Sequence, residues 1–195
     1  MPEFSSQPFV DIARRLDVRG GHSWLAVLSP PTDSAVALDA LQTELRSFLQ
    51  VPTRVLSLET LTFEELLEAM QQPSDDVVVL AAGADLAPDT WSSLDLMRSA
   101  LERTGPTVLW MAPDAVARLT EFAPNIRSFI GPSIYIAGPD GGLMGEAERQ
   151  HRLKELEQHY GLSSEEIVRR AESKELPPEP HFVEWLILLG RGDLV

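Results

Sequence analysis

Val77-Val78-Val79-Leu80-Ala81 is an unbroken apolar run, and Trp91, Leu94, Met97 and Leu101 follow it at steps of three and four. A strand that is covered on both faces reads as continuous hydrophobicity, whereas a half-exposed strand alternates. The spacing that follows is helical. One strand and one crossover helix are therefore written side by side, which is the unit of a parallel sheet.

The same unit recurs on both sides. Upstream, Trp24-Leu25-Ala26-Val27-Leu28 precedes Leu38, Leu41, Leu45 and Phe48. Arg54-Val55-Leu56-Ser57-Leu58 precedes Phe63, Leu66, Leu67 and Met70, with Thr62 and Glu65 in capping-box spacing. Downstream, Thr107-Val108-Leu109-Trp110-Met111 precedes Val116, Leu119 and Phe122, and Ile134-Tyr135-Ile136 closes the series. The alternation predicts a doubly wound, mostly parallel five-stranded α/β sheet with helices on both faces. Phe9 to Leu16 adds one helix before Gly20-Gly21.

The last quarter reads differently. Leu153, Leu156 and Tyr160 share a helical face that Gly161 ends. Ser163 and Glu166 repeat the capping-box spacing before Ile167, Val168 and Ala171. Leu176-Pro177-Pro178-Glu179-Pro180 is a stiff link into an apolar helix from His181 to Leu189. Residues 1–142 are expected to form the sheet domain, and residues 143–195 a helical C-terminal appendage.

Composition narrows the function. The chain of 195 residues has a formal charge of −14, and Arg14-Arg15 with Arg19 and Arg169-Arg170 are its only basic groupings, both set among acids. Nucleic acid and anionic membranes require clustered Lys and Arg, so neither is an expected partner. The absence of cysteine removes disulfides, thiolate nucleophiles and cysteine-ligated zinc. Met1-Pro2-Glu3-Phe4 lacks the basic and apolar regions of a signal peptide, and Trp185 to Leu189 is too short to span a bilayer. A cytoplasmic protein is expected.

Ligands of open parallel sheets bind beyond the carboxyl ends of the strands. There the sequence places Thr32, Asp33 and Ser34 after the first strand, Asp85 after the third and Asp114 after the fourth. These form the candidate ligand crevice. A phosphate-binding loop needs glycines, a Lys and a hydroxyl for magnesium. Ser29-Pro30-Pro31-Thr32-Asp33-Ser34 has neither glycine nor lysine, and its prolines remove two backbone donors. The only lysines, Lys154 and Lys174, fall in the appendage. A phosphoacceptor receiver would need a Lys after the fifth strand, where Ala137-Gly138 stands. Gly138-Pro139-Asp140-Gly141-Gly142 reads as a turn. His22, His151, His159 and His181 lack metal-ligand spacing, and no Gly-x-Ser-x-Gly elbow is present. No catalytic, metal or cofactor-binding residue is assigned.

One resemblance concerns residues 23–137. The stretch from Leu94 to Arg103, then Gly105-Pro106-Thr107-Val108-Leu109-Trp110-Met111-Ala112-Pro113, then Leu119 to Phe129, resembles the degenerate ATPase-like region of bacterial signalling proteins that carry tetratricopeptide repeats or STAND-type NTPase modules. That family has a Leu-Asn-x-x-Arg helix, a Leu-Val-x-Trp-Leu strand and an Ala-Pro-Asp-x-Trp-Ser-Trp loop. Here Asp95 replaces the usual Asn, and Asn125, Ile126 and Phe129 stand at usual Asp and Trp positions. The resemblance implies a Rossmann-like, phosphate-loop-derived fold that is inactive and works in signalling or defence. The leading expectation is a non-enzymatic, pseudo-NTPase-like adaptor that binds another protein through Phe182, Trp185, Leu186 and Leu189, because Trp anchors are enriched at interface centres. A small-molecule or nucleotide sensor without turnover is the alternative, and a magnesium-dependent hydrolase using Asp33 and Asp85 is a third.

Overall fold

A computed structural model describes residues 9–19, 23–29, 34–72, 74–83, 85–101, 103, 105–138, 142–177 and 179–195. The strands are β1 (Trp24–Leu28), β2 (Thr53–Ser57), β3 (Val77–Ala82), β4 (Thr107–Met111) and β5 (Ile134–Ile136). They pair in the order β2-β3-β4-β1-β5, and every pair is parallel. The doubly wound α/β expectation holds.

The side on which each helix packs follows from chain direction. From β2 to β3, β3 to β4 and β4 to β5 the chain steps one way across the sheet. From β1 to β2 it steps back. Right-handed crossovers then place the β1–β2 connection on the opposite face from the others. Accordingly α2 (Ser34–Leu49) buries Ala37, Leu41 and Leu45 against Leu25, Val27, Val79 and Val108. The helix α1 (Val10–Arg19) joins it there with Ile12, Ala13 and Leu16. The other face carries α3 (Phe63–Gln71), α4 (Pro88–Leu96), α5 (Ala115–Phe122) and α6 (Pro124–Ile130), packed on Ala26, Leu28, Leu80 and Leu109.

Local signals account for several boundaries. Thr62 and Glu65 form the full reciprocal capping box at α3. At α8 (Ser164–Glu172) only half of the expected box forms. Ser163 Oγ accepts from Glu166 N at 3.2 Å, but the Glu166 carboxylate turns to Arg169 and Arg170. Hydrogen bonds from these two guanidiniums hold its pKa down to about 2. The helix expected through Leu101 ends at Leu96 and tightens into a short 3-10 turn over Arg98–Ala100. Met97 is thereby left 40% exposed. The helix expected from Val116, Leu119 and Phe122 forms as α5, and a further helix, α6, follows it after a break at Ala123-Pro124, where proline cannot donate into a continuing helix.

The C-terminal helices are α7 (Glu146–Tyr160), α8 and α9 (Pro180–Leu188). Gly161, at φ 63°, ends α7 in the left-handed conformation that favours glycine. Leu153, Leu156, Ile167 and Trp185 make a small core of their own. The helix α9 bridges to the sheet, with Val183 and Ile187 in the main core. Leu143 belongs with β5, since it pairs antiparallel with Ala137. No helix among the described residues is long and apolar enough to cross a membrane.

Candidate functional site

The helices that follow the neighbours β1 and β4 leave on opposite faces. The crevice of this sheet therefore opens between the carboxyl ends of those two strands. Ser29 lies at that point, buried, with its N–H donating to Met111 O at 2.9 Å. Ser34 opens α2, and Trp110 Nε1 donates to its Oγ at 3.0 Å. Phe9 meets the Trp110 ring edge-on at a centroid distance of 6.4 Å. The start of α2 is thus anchored to β4 by an indole, which is itself backed by the segment that leads into α1.

The candidate crevice residues do not form one visible cluster. Thr32 and Asp33 lie outside the described residues. Asp85 is an exposed turn residue after β3, and Asp114 is exposed before α5, where its side chain caps nothing. A further acid, Glu59, was not singled out from the sequence. Its carboxylate occupies the space that a Cβ on Gly83 would take at the end of β3. Arg118 brings a cation to this side, and its Nη1 donates to Leu86 O at 3.1 Å, tying α5 to the β3–α4 loop. Among the described residues no group of three or more His, Cys, Asp or Glu is placed to hold a metal ion.

A buried charge cluster lies at the opposite edge. Asp76, 2% exposed at the start of β3, receives hydrogen bonds from Arg54 Nε and Arg103 Nη2. Arg103 also donates to Asp76 O at 2.7 Å and Ser74 O at 2.9 Å, and Arg54 to Ala69 O at 3.1 Å. Burial works to raise the Asp76 pKa, but the two guanidinium groups outweigh it and hold the carboxyl below its ordinary value. One carboxylate so joins β2, β3, the end of α3 and the segment before β4.

A second polar junction lies between α4 and α6. Asp95 accepts from Asn125 N at 2.8 Å, Asn125 Nδ2 at 2.7 Å and Ile126 N at 2.9 Å. A carboxylate from one helix thus satisfies the orphan donors that begin another. Asp95 and Asn125 are thus one hydrogen-bonded pair, which spacing alone could not show. The two helices that this junction joins also expose large apolar side chains: Leu96 is 80%, Met97 40% and Phe129 44% exposed.

The residues expected to meet a partner are placed otherwise. Trp185 is fully buried, Phe182 and Leu186 are buried with it, and Leu189 is half-buried. Trp185 Nε1 donates to Ser164 Oγ at 3.1 Å. As folded, the apolar surface of α9 is consumed by the sheet and by α7 and α8, so Phe182, Trp185 and Leu186 present no free anchor. Two of the histidines, His159 and His181, meet the same tyrosine ring despite their sequence separation. His159 lies edge-on to Tyr160 at 4.6 Å between centroids, and His181 stacks on Tyr160 at 4.5 Å.

Comparison with protein-family models and with curated proteins finds no match to this chain.

Proposed function

We propose that this chain is a non-enzymatic protein–protein interaction module, an adaptor with a pseudo-NTPase outline, working in bacterial signalling or defence. The observation that carries the reading is the exposure of Leu96, Met97 and Phe129 at the two helices that Asp95 joins. Fully burying a Leu, Met or Phe side chain is worth roughly 1.5–3 kcal/mol, so three such residues can anchor an interface. The partner surface moves from α9, as read in the sequence, to α4 and α6. The test is affinity capture from a lysate of the source cells with the natural chain and with Leu96→Glu/Phe129→Glu. Proteins retained by the first are expected to be lost by the second while its thermal melt stays the same. An unchanged retained set would overturn the reading.

A sensor that binds without turnover is the second reading. It is favoured by Ser29 and Ser34 at the β1–β4 switch point and by a first turn of α2 that carries no acid. A ligand that binds only the native state raises apparent stability. A raised melting temperature with one member of a nucleotide panel is the expected result, and no shift at millimolar nucleotide would sink this reading.

A further inference from the structure

Among the described residues, only half of the outward backbone groups of β5 have a backbone partner. Ala26 N donates to Ser133 O at 2.9 Å and Ala137 N to Leu28 O at 2.7 Å, so residues 133, 135 and 137 turn their backbone to β1. Ile134 and Ile136 therefore direct theirs outward. Of those four groups, described residues satisfy two: Ile134 N donates to Pro132 O, and Met144 N donates to Ile136 O, both at 3.0 Å. The Ile134 carbonyl and the Ile136 N–H remain, with no backbone partner among the described residues.

Ile134 and Ile136 line a groove of about 240 Å³. Met144, Ile187 and Leu188 give it apolar walls, and Asp11 and Arg149 stand at it. Both charges are already engaged, Asp11 with Arg14 at 3.5 Å and Arg149 with Glu146 at 2.8 Å and Leu188 O at 2.9 Å. In a parallel ladder, one residue of the incoming strand donates to the carbonyl of one residue and accepts from the N–H of the residue two further on. Ile134 O and Ile136 N–H have that spacing.

We propose that this edge is a strand-addition site that takes an extended, uncharged, apolar segment of a partner protein as a short parallel sixth strand. Unmade backbone hydrogen bonds supply the affinity and the apolar walls the side-chain preference. A second copy of this chain fits poorly. Two β5 edges related by a two-fold axis would run antiparallel, and each would meet the Leu143–Met144 arm that occupies the end of the strand. Two chains of charge −14 also repel. This surface is separate from the α4–α6 junction and shares with it only the premise that the occupant is a protein.

The test uses the full chain and a capped peptide of alternating Val and Thr, with a counterpart N-methylated at the central Val. Heteronuclear NMR follows the Ile136 amide. The unmodified peptide is expected to shift that amide saturably, and the N-methyl peptide to bind about tenfold more weakly, since it leaves the Ile134 carbonyl unpaired. Ile136→Pro removes the donor at an outward position where an edge strand tolerates proline, and is expected to lose binding while remaining folded. Equal affinity of the two peptides, binding that leaves the Ile136 amide unmoved, or no binding at millimolar peptide would each overturn the proposal. Because the peptide is measured alone, such a failure leaves the α4–α6 reading standing. Conversely, Leu96→Glu/Phe129→Glu is expected to bind the peptide as the natural chain does.

Discussion

The two edges of this sheet use charge in opposite ways. At the amino edge, Asp76 is buried and shared between Arg54 and Arg103, and it receives every charge-assisted bond its two oxygens are shown to make from those guanidiniums. At the carboxyl edge, where open α/β sheets bind their ligands, Asp85 and Asp114 are exposed and make no ion pair among the described residues. A buried, paired carboxylate is a structural commitment, because removing one partner strands the others. An exposed, unpaired one commits the fold to nothing. A buried ion network in an α/β domain can thus belong to its architecture instead of to a ligand site.

Breaking the amino edge is expected to have the largest effect. Asp76→Ala leaves the 3%-exposed Arg103 side chain without its counter-charge, and loss of one member of a buried pair costs about 3–5 kcal/mol. Urea denaturation at neutral pH checks this. Proton linkage sharpens the same point. The folded-state pKa of Asp76 lies below its ordinary value, and the unfolded value is about 3.9. Its stabilisation is therefore complete above about pH 4 and disappears as pH falls through the lower, folded value. Denaturation of the natural chain and of Asp76→Asn across that range is expected to show the gap between them narrowing on acidification. A gap that widens would contradict the pairing.

The α4–α6 junction is expected to respond less. Asp95→Ala strips the acceptor from Asn125 N and Ile126 N, at a cost of about 2 kcal/mol for a lost cap and partly buried donors. Thermal denaturation measures it, and hydrogen exchange should quicken first at the start of α6.

The sheet was legible because buried parallel strands are written as runs. Val77 to Ala81 and Val108 to Met111 are apolar throughout, and the helices that follow them begin with the expected spacing. The strand order was not, since it depends on which strand the chain steps over, and nothing local to Ile134-Tyr135-Ile136 says that β5 pairs with β1. Loops after strands could be located, so Ser34, Asp85 and Asp114 were placed at the right edge. Whether such residues meet is set by turn geometry, which spacing does not report. The helix α9 shows the converse limit. Phe182, Trp185 and Leu186 read as anchors because they are large and apolar, and the same property lets the chain bury them in itself. Arg103 could have been found only through Asp76, which pairs with it across a sequence separation of 27 residues.

The smallest expected effect is the most direct test of the contrast between the edges. Asp85→Ala/Asp114→Ala should alter stability by no more than about 0.5 kcal/mol, the range of exposed substitutions away from special features. Residues held for function are often held at a cost to stability, and their removal relieves it. Urea denaturation of the double variant beside the natural chain is the measurement. Coincident curves are the predicted result. A gain of more than about 1 kcal/mol would mean that the two acids are held against their own preference in a working site, and would contradict the account of the carboxyl edge.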